Sequence, residues 1–232
     1  MRTLVVGDLH IGIKNNSLTW LESQLEFFDK QIFETIQSKE IKRVIFLGDI
    51  YDIRYSINQQ VGIELQKKVR QMLTQFPDVH FFMIAGNHDS AQRLDYAKEI
   101  LDKQQIYIEG LPPYTVDQYI KKVGLEDDYG KVNFYLLPFV KPGYVRNVFP
   151  DKEVGSYDDA VRMLIEREKI NSEERNIIIS HQFYTSGGKE PVRSESETVS
   201  VGGLDNIDIS ALKPFDYAAL GHIHHGQKIG DD

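Results

Sequence analysis

The chain contains no cysteine, and that one absence removes disulfides, thiolate nucleophiles and cysteine-type zinc sites together. Carboxylate, amide and imidazole remain as metal-binding groups. The same absence suits a reducing compartment, so a cytoplasmic location is expected. Long apolar runs are also missing. Nothing approaches the ~20 apolar residues of a membrane span, and the opening Met1-Arg2-Thr3-Leu4-Val5-Val6-Gly7-Asp8 is too short in its apolar part for a signal peptide. The expectation is a soluble chain with no membrane partner. Positive charge is in short supply as well: 27 Lys and Arg face 35 Asp and Glu, for a net charge of −8. Attraction to a polyanion is therefore not a property of the whole molecule, and any nucleic-acid contact must be local. Internal repeats and low-complexity tracts are absent too, and 232 residues suit one domain spanning 1–232.

What is present is a recurring unit: an apolar run that stops at a polar residue able to bind a metal. Thr3 to Val6, with two β-branched valines, reads as a strand buried on both faces and central in its sheet, and it delivers Gly7-Asp8-Leu9-His10. Leu18, Leu21, Leu25, Phe28, Ile32 and Ile36 recur at steps of three and four, which predicts an amphipathic helix over Ser17 to Glu40, with Thr19 and Glu22 as its capping box. Val44 to Leu47 follows as a second strand, delivering Gly48-Asp49-Ile50-Tyr51-Asp52. A helix between two such strands is the βαβ signature of a parallel sheet. Val61, Leu65, Val69, Leu73 and Phe76 predict the next helix, His80 to Ala85 a third strand ending in Gly86-Asn87-His88-Asp89, Ser90 to Leu101 a helix, and Ile106 to Ile108 a short strand. Val132 to Leu137 alternates enough for a strand of a second, more mixed sheet. Tyr157 to Glu168 predicts a helix, Asn176 to Ser180 the strand that presents His181, and Phe215 to Leu220 the last strand, ending in Gly221-His222-Ile223-His224-His225. Between the last two strands, Gln182 to Asp208 reads as a long polar loop rich in Gly, Ser and Glu.

Each polar block has a bland explanation taken singly. Asp-x-His is commonly a surface turn, Gly-Asp-x-x-Asp a helix cap or Asx turn, Gly-Asn-His-Asp a type I turn, and a lone histidine after a strand a satisfied residue near the core. Five such blocks at strand C-termini in one chain alter that balance, because the C-terminal edge of an α/β sheet is where ligands bind. If strand geometry continues past each apolar run, Asp8 and His10 point to one side, as do His222 and His224, while His225 turns away as a bystander. The set Asp8, His10, Asp49, Asn87, His181, His222 and His224 is large enough to hold two cations sharing one carboxylate, and Asp49 is the natural bridge. Two cations roughly 3.5–4 Å apart suit phosphoester hydrolysis. Imidazole, carboxylate and amide ligands without thiolate favour Mn²⁺ or Fe, with Zn²⁺ as an alternative.

The ordered set Asp-x-His, Gly-Asp-x-x-Asp, Gly-Asn-His-Asp, a lone His after a strand and Gly-His-x-His resembles the calcineurin-like metallophosphoesterase superfamily, from residue 7 to residue 225. That resemblance implies an α/β fold, a four-layer α/β/β/α sandwich with a dimetal centre. It implies that Asp8, His10, Asp49 and His224 hold one Mn²⁺, and that Asp49, Asn87, His181 and His222 hold the other. His88 is then a general acid or transition-state stabiliser, and Asp52 orients it or a ligand. Arg54 and Arg93 are candidate phosphate contacts. Within the superfamily, the early spacing and Ser200-Val201-Gly202-Gly203-Leu204-Asp205-Asn206-Ile207-Asp208 are similar to SbcD-type nuclease subunits. That narrower resemblance implies a Mn²⁺-dependent DNA nuclease of repair and recombination, a double-strand exonuclease and single-strand endonuclease, dimeric and partnered by an SbcC-type coiled-coil ATPase. Such proteins usually continue into a cap region after the last histidine block, which the chain, ending at Asp232, is expected to lack. A phosphoprotein phosphatase, a cyclic-nucleotide phosphodiesterase and an inactive scaffold are the alternatives, since a fold alone does not fix substrate.

Overall fold

A computed structural model describes residues 2–15, 18–52, 59–95, 98–192 and 205–230. Arg54 and most of the Ser200-to-Asp208 segment lie outside the described residues. The chain divides into two compact units, Met1–Gly110 and Leu111–Asp232, each α/β in composition.

In the first unit, β1 (Thr3–Val6), β2 (Arg43–Phe46), β3 (His80–Ile84) and β4 (Ile106–Glu109) form a parallel sheet in chain order. The pairing runs Val6 to Phe46, Phe46 to Met83 and Met83 to Ile108. Alternation then places Val44, Phe46, Phe81, Met83, Ile106 and Ile108 on one face, packed in a core with Phe28 and Ile32 of the first helix and Leu65 and Met72 of the second. The first helix, α1, has α-helical ends, Leu21–Phe27 and Glu34–Ser38, around a π-helical middle, Phe28–Phe33. The wider π turn buries Phe28, Ile32 and Phe33 together, and Phe28 stacks on Phe46 with ring centroids 6.0 Å apart. The second helix, α2, is Gln59–Gln75.

Three expectations need correction here. Among the described residues β1 is an edge strand, and Val5 is 39% exposed. Each helical crossover adds the next strand on the same side, so winding never reverses and the first strand stays outermost. The capping box at Thr19 is absent, because Leu18 and Thr19 pair with Lys14 and Asn15 as a small antiparallel ladder, and Trp20 begins the helix without a side-chain cap. The helix expected over Ser90 to Leu101 is described as two short pieces, Ala91–Leu94 and Lys98–Asp102.

The second unit holds β5 (Lys121–Asp127), β6 (Gly130–Leu137), β7 (Arg175–His181) and β8 (Tyr217–Gly221) in the order β8-β7-β6-β5. The β5–β6 hairpin is antiparallel with only Asp128 and Tyr129 between its strands, and Gly130 closes it at φ 95°. The other two pairings are parallel. Tyr135, Leu137 and Ile178 pack with Ala160, Val161, Leu164 and Ile165 of the helix Tyr157–Arg167, which Ser156 and Asp159 start with a reciprocal capping box. The polar loop after β7 is not wholly irregular. Tyr184 and Thr185 pair in parallel with Ile207 and Asp208, and Tyr184 is fully buried.

Candidate metal centre

Because β1, β2 and β3 are neighbours running the same way, the loops at their C-terminal ends come side by side. Backbone bonds join the first two loops: the His10 amide donates to the Asp49 carbonyl at 2.8 Å, Ile11 to Ile50 at 2.8 Å, and Asp52 to Ile11 at 3.3 Å. The ligand-type side chains gather there. Asp8, His10 and Asp49 each offer a ligand atom, all within 4.8 Å of one another, and His10, Asp52 and His88 do the same. Asp49 is 1% exposed. Its Oδ2 lies 3.6 Å from His10 Nε2, too long for a hydrogen bond but suited to sharing a cation. Its Oδ1 accepts the His88 backbone N–H at 2.8 Å, which ties the third loop to the second.

His88 stands edge-on to His10, with ring centroids 5.0 Å apart. Its Nδ1 is 3.8 Å from Asp52 Oδ1, and the Asp52 side chain is 3% exposed. Asn87 is exposed on the same loop, and Arg93 is exposed on the short helix that follows.

In the second unit, β7 and β8 pair so that His181 lies opposite Gly221. His222, the next residue, therefore meets His181. Their rings are 5.2 Å apart and edge-to-face, with Phe139 within 6.4 Å of both. His181 is fully buried. His224 and His225 follow beyond the strand end.

Within each unit, the side chains at the strand ends are aimed by a different device from the alternation expected. Asp8, His10, Asp49 and His222 have φ of 38°, 44°, 47° and 84°, the left-handed region that non-glycine residues rarely enter. The strands end before these residues, at Val6, Phe46 and Gly221, so tight left-handed turns aim these side chains. Placing His225 by alternation past β8 fails for the same reason. Such conformations cost about 1–3 kcal/mol each and persist where the surroundings over-determine them.

One of those surroundings is Asp89, to which the sequence pattern alone assigns no role. Its carboxylate accepts the backbone N–H groups of Gly86 at 2.9 Å, Ile50 at 3.1 Å and Tyr51 at 2.8 Å. It thereby fastens the β2 loop to the β3 loop. Burial pushes its pKa up to about 6, with the charge of Asp49 adding to the effect against those three donors. Burial likewise raises the Tyr51 phenol to about 12. The only signal for Asp89 is its place in Gly-Asn-His-Asp, since two of its three partners are backbone atoms of another block.

The chain matches the calcineurin-like phosphoesterase family over residues 1–226. It belongs to that family. Curated relatives of this calcineurin-like phosphoesterase include the SbcD subunit of the nuclease SbcCD from Staphylococcus epidermidis, 28% identical over 234 residues that cover 100% of this chain and 59% of the relative. The protein of the same name from Staphylococcus saprophyticus is 28% identical, with 97% and 57% covered. The chain thus spans about three-fifths of the length of the curated relatives it matches. Among solved structures, the nuclease MPE of Pseudomonas putida is 13% identical, covers 79% of this chain and 62% of its own, and superposes with a TM-score of 0.33. The family carries a dimetal centre, and the donor set of the first unit fits divalent cations: two buried carboxylate and imidazole groups lie at ligand spacing, with no thiolate anywhere in the chain.

Proposed function

We propose that this calcineurin-like phosphoesterase is a Mn²⁺-dependent DNA nuclease of the SbcD type, acting as a double-strand exonuclease and single-strand endonuclease in DNA repair and recombination. In this reading it works in the cytoplasm as a dimer, with an SbcC-type coiled-coil ATPase as partner. The support is the gathering of Asp8, His10 and Asp49 at ligand spacing with the His88–Asp52 pair beside it, together with similarity along nearly the whole of this chain to two proteins named as nuclease subunits. Asp8, His10, Asp49 and His224 would hold one cation; Asp49, Asn87, His181 and His222 would hold the second, with Asp49 bridging. When bound, two divalent cations neutralise phosphate charge and acidify the attacking water. His88 hydrogen-bonds the phosphate and donates a proton to the leaving 3′ oxygen, oriented by Asp52. With a net charge of −8, grip on DNA falls to the metals, to local basic residues and to the partner.

The test compares linear duplex, hairpin and single-stranded DNA with a small phosphomonoester and a cyclic nucleotide, in Mn²⁺ and in Mg²⁺, using the chain at its full natural length with and without the ATPase. Cleavage of DNA ends and single strands that is stronger in Mn²⁺ supports the nuclease reading. Turnover of the small esters with no DNA cleavage overturns it in favour of another phosphoesterase.

A further inference from the structure

Gln24 touches no ligand atom, yet its side chain is spent on the backbone of the loop that carries His10. Its Nε2 donates to the Leu9 carbonyl at 3.0 Å and to the His10 carbonyl at 2.8 Å, and its Oε1 accepts the Gly12 N–H at 2.9 Å. Both amide donors and one acceptor position are thus used within residues 9–12. The chain around it reinforces the grip: Trp20, four residues earlier, donates its N–H to the Ile13 carbonyl at 3.3 Å, and the Gln24 N–H returns to the Trp20 carbonyl at 3.0 Å. Held in this way is His10 at φ 44°, a left-handed residue that a free loop would relax. His10 is 7% exposed and places Nε2 3.6 Å from Asp49 Oδ2. Rotation of its backbone would move the imidazole off that spacing.

We infer that Gln24 is a positioning residue for His10, fixing the affinity of the cation site to which His10 belongs. The inference rests on the proposed metal centre. The chemistry requires an amide, because a carboxylate has no proton to give the Leu9 and His10 carbonyls and would repel them, while an apolar side chain bonds neither carbonyl nor N–H. The role is also selective. Gln24 holds one loop, so its loss should weaken one site and spare the site whose ligands come from other loops.

Gln24→Met keeps the volume and unbranched shape of the side chain, and Gln24→Glu keeps the acceptor alone. Mn²⁺ titration calorimetry on wild type, both variants and His10→Ala reads the sites separately, and amide exchange of Gly12 reads the hydrogen bond itself. The expected result is that Q24M weakens one binding event by roughly 10–100-fold, leaves the other unchanged and speeds Gly12 exchange; Q24E weakens the same event at least as much. Wild-type affinity at both sites in Q24M overturns the inference. Equal loss at both sites also overturns it, because that is general loosening of the fold. Should Q24M not fold, Q24E and wild-type Gly12 exchange decide: an unprotected Gly12 amide, or a Q24E with both affinities intact, overturns the role. H10A binding Mn²⁺ as wild type does would instead overturn the metal-centre reading, and with it the inference built on it.

Discussion

Gly86→Ala adds one methyl group where the centre has no room for it. A Cβ at residue 86 would stand 2.1 Å from Asp49 Oδ1, 2.5 Å from the Asp49 backbone nitrogen and 2.7 Å from its Cγ, against ordinary heavy-atom contacts of about 3.5 Å. The carboxylate must therefore move by more than about 1 Å. It cannot do so cheaply, since Asp49 is buried, its Oδ1 holds the His88 N–H and its carbonyl holds the His10 N–H. Overpacking costs about 1–3 kcal/mol, and a strained or lost hydrogen bond to a carboxylate adds about 1.5–3 kcal/mol, so a destabilisation of roughly 2.5–6 kcal/mol follows. Backbone strain does not confuse the test, because Gly86 is not among the glycines at positive φ. Gly7→Ala is the matched control: its Cβ would meet only Leu47 Cδ1 at 3.9 Å, again without a positive φ, and its effect should stay within about 0.5 kcal/mol. Urea unfolding followed by circular dichroism gives both values, and Mn²⁺ titration of G86A should show affinity about 10–100-fold weaker. A G86A protein as stable as G7A, with Mn²⁺ affinity intact, would refute the close approach and the role given to Asp49.

His88→Ala should keep both cations while cleavage falls roughly 10²–10⁴-fold; metal analysis beside a nuclease assay would expose the opposite pattern, lost metal with turnover retained. Glu168→Gln should stabilise the protein at neutral pH. Burial raises the Glu168 pKa above its ordinary value of 4.5, so the folded state favours the protonated form, and the stability of wild type declines as pH rises from the unfolded value through the raised one. Glutamine accepts the same Ile120 N–H, 2.8 Å away in wild type, without the buried charge. The melting-temperature advantage of E168Q should therefore vanish below pH ~4, and an advantage that is constant from pH 3 to 8 would contradict the assignment.

Much of the fold was legible because buried parallel strands are short apolar runs. Val44 to Leu47, His80 to Ala85 and Asn176 to Ser180 coincide with observed strands to within a residue or two. Lys121–Asp127 escaped notice because only Val123 along it is buried; its pairing with β6, rather than any pattern of its own, makes it a strand. The edge position of β1 was hidden because strand order is a property of the crossovers. The ligand types in the first unit were legible from their place after strands, but their aim was not. Alternation gives a direction only while extended backbone lasts, and at Asp8, His10 and Asp49 it has already turned left-handed. Asp89 and Gln24 were illegible for a third reason: Gln24 binds only, and Asp89 chiefly, backbone groups distant in sequence, which leave no trace in residue type.

Asp49 as the carboxylate shared by two cations is the central claim, and its most direct test is Mn²⁺ stoichiometry in wild type and Asp49→Ala, measured by calorimetry and by metal analysis after desalting. Two ions per wild-type chain, and neither held tightly by D49A, is the predicted result. Wild-type uptake by D49A, or no more than one ion in the wild type, would contradict it.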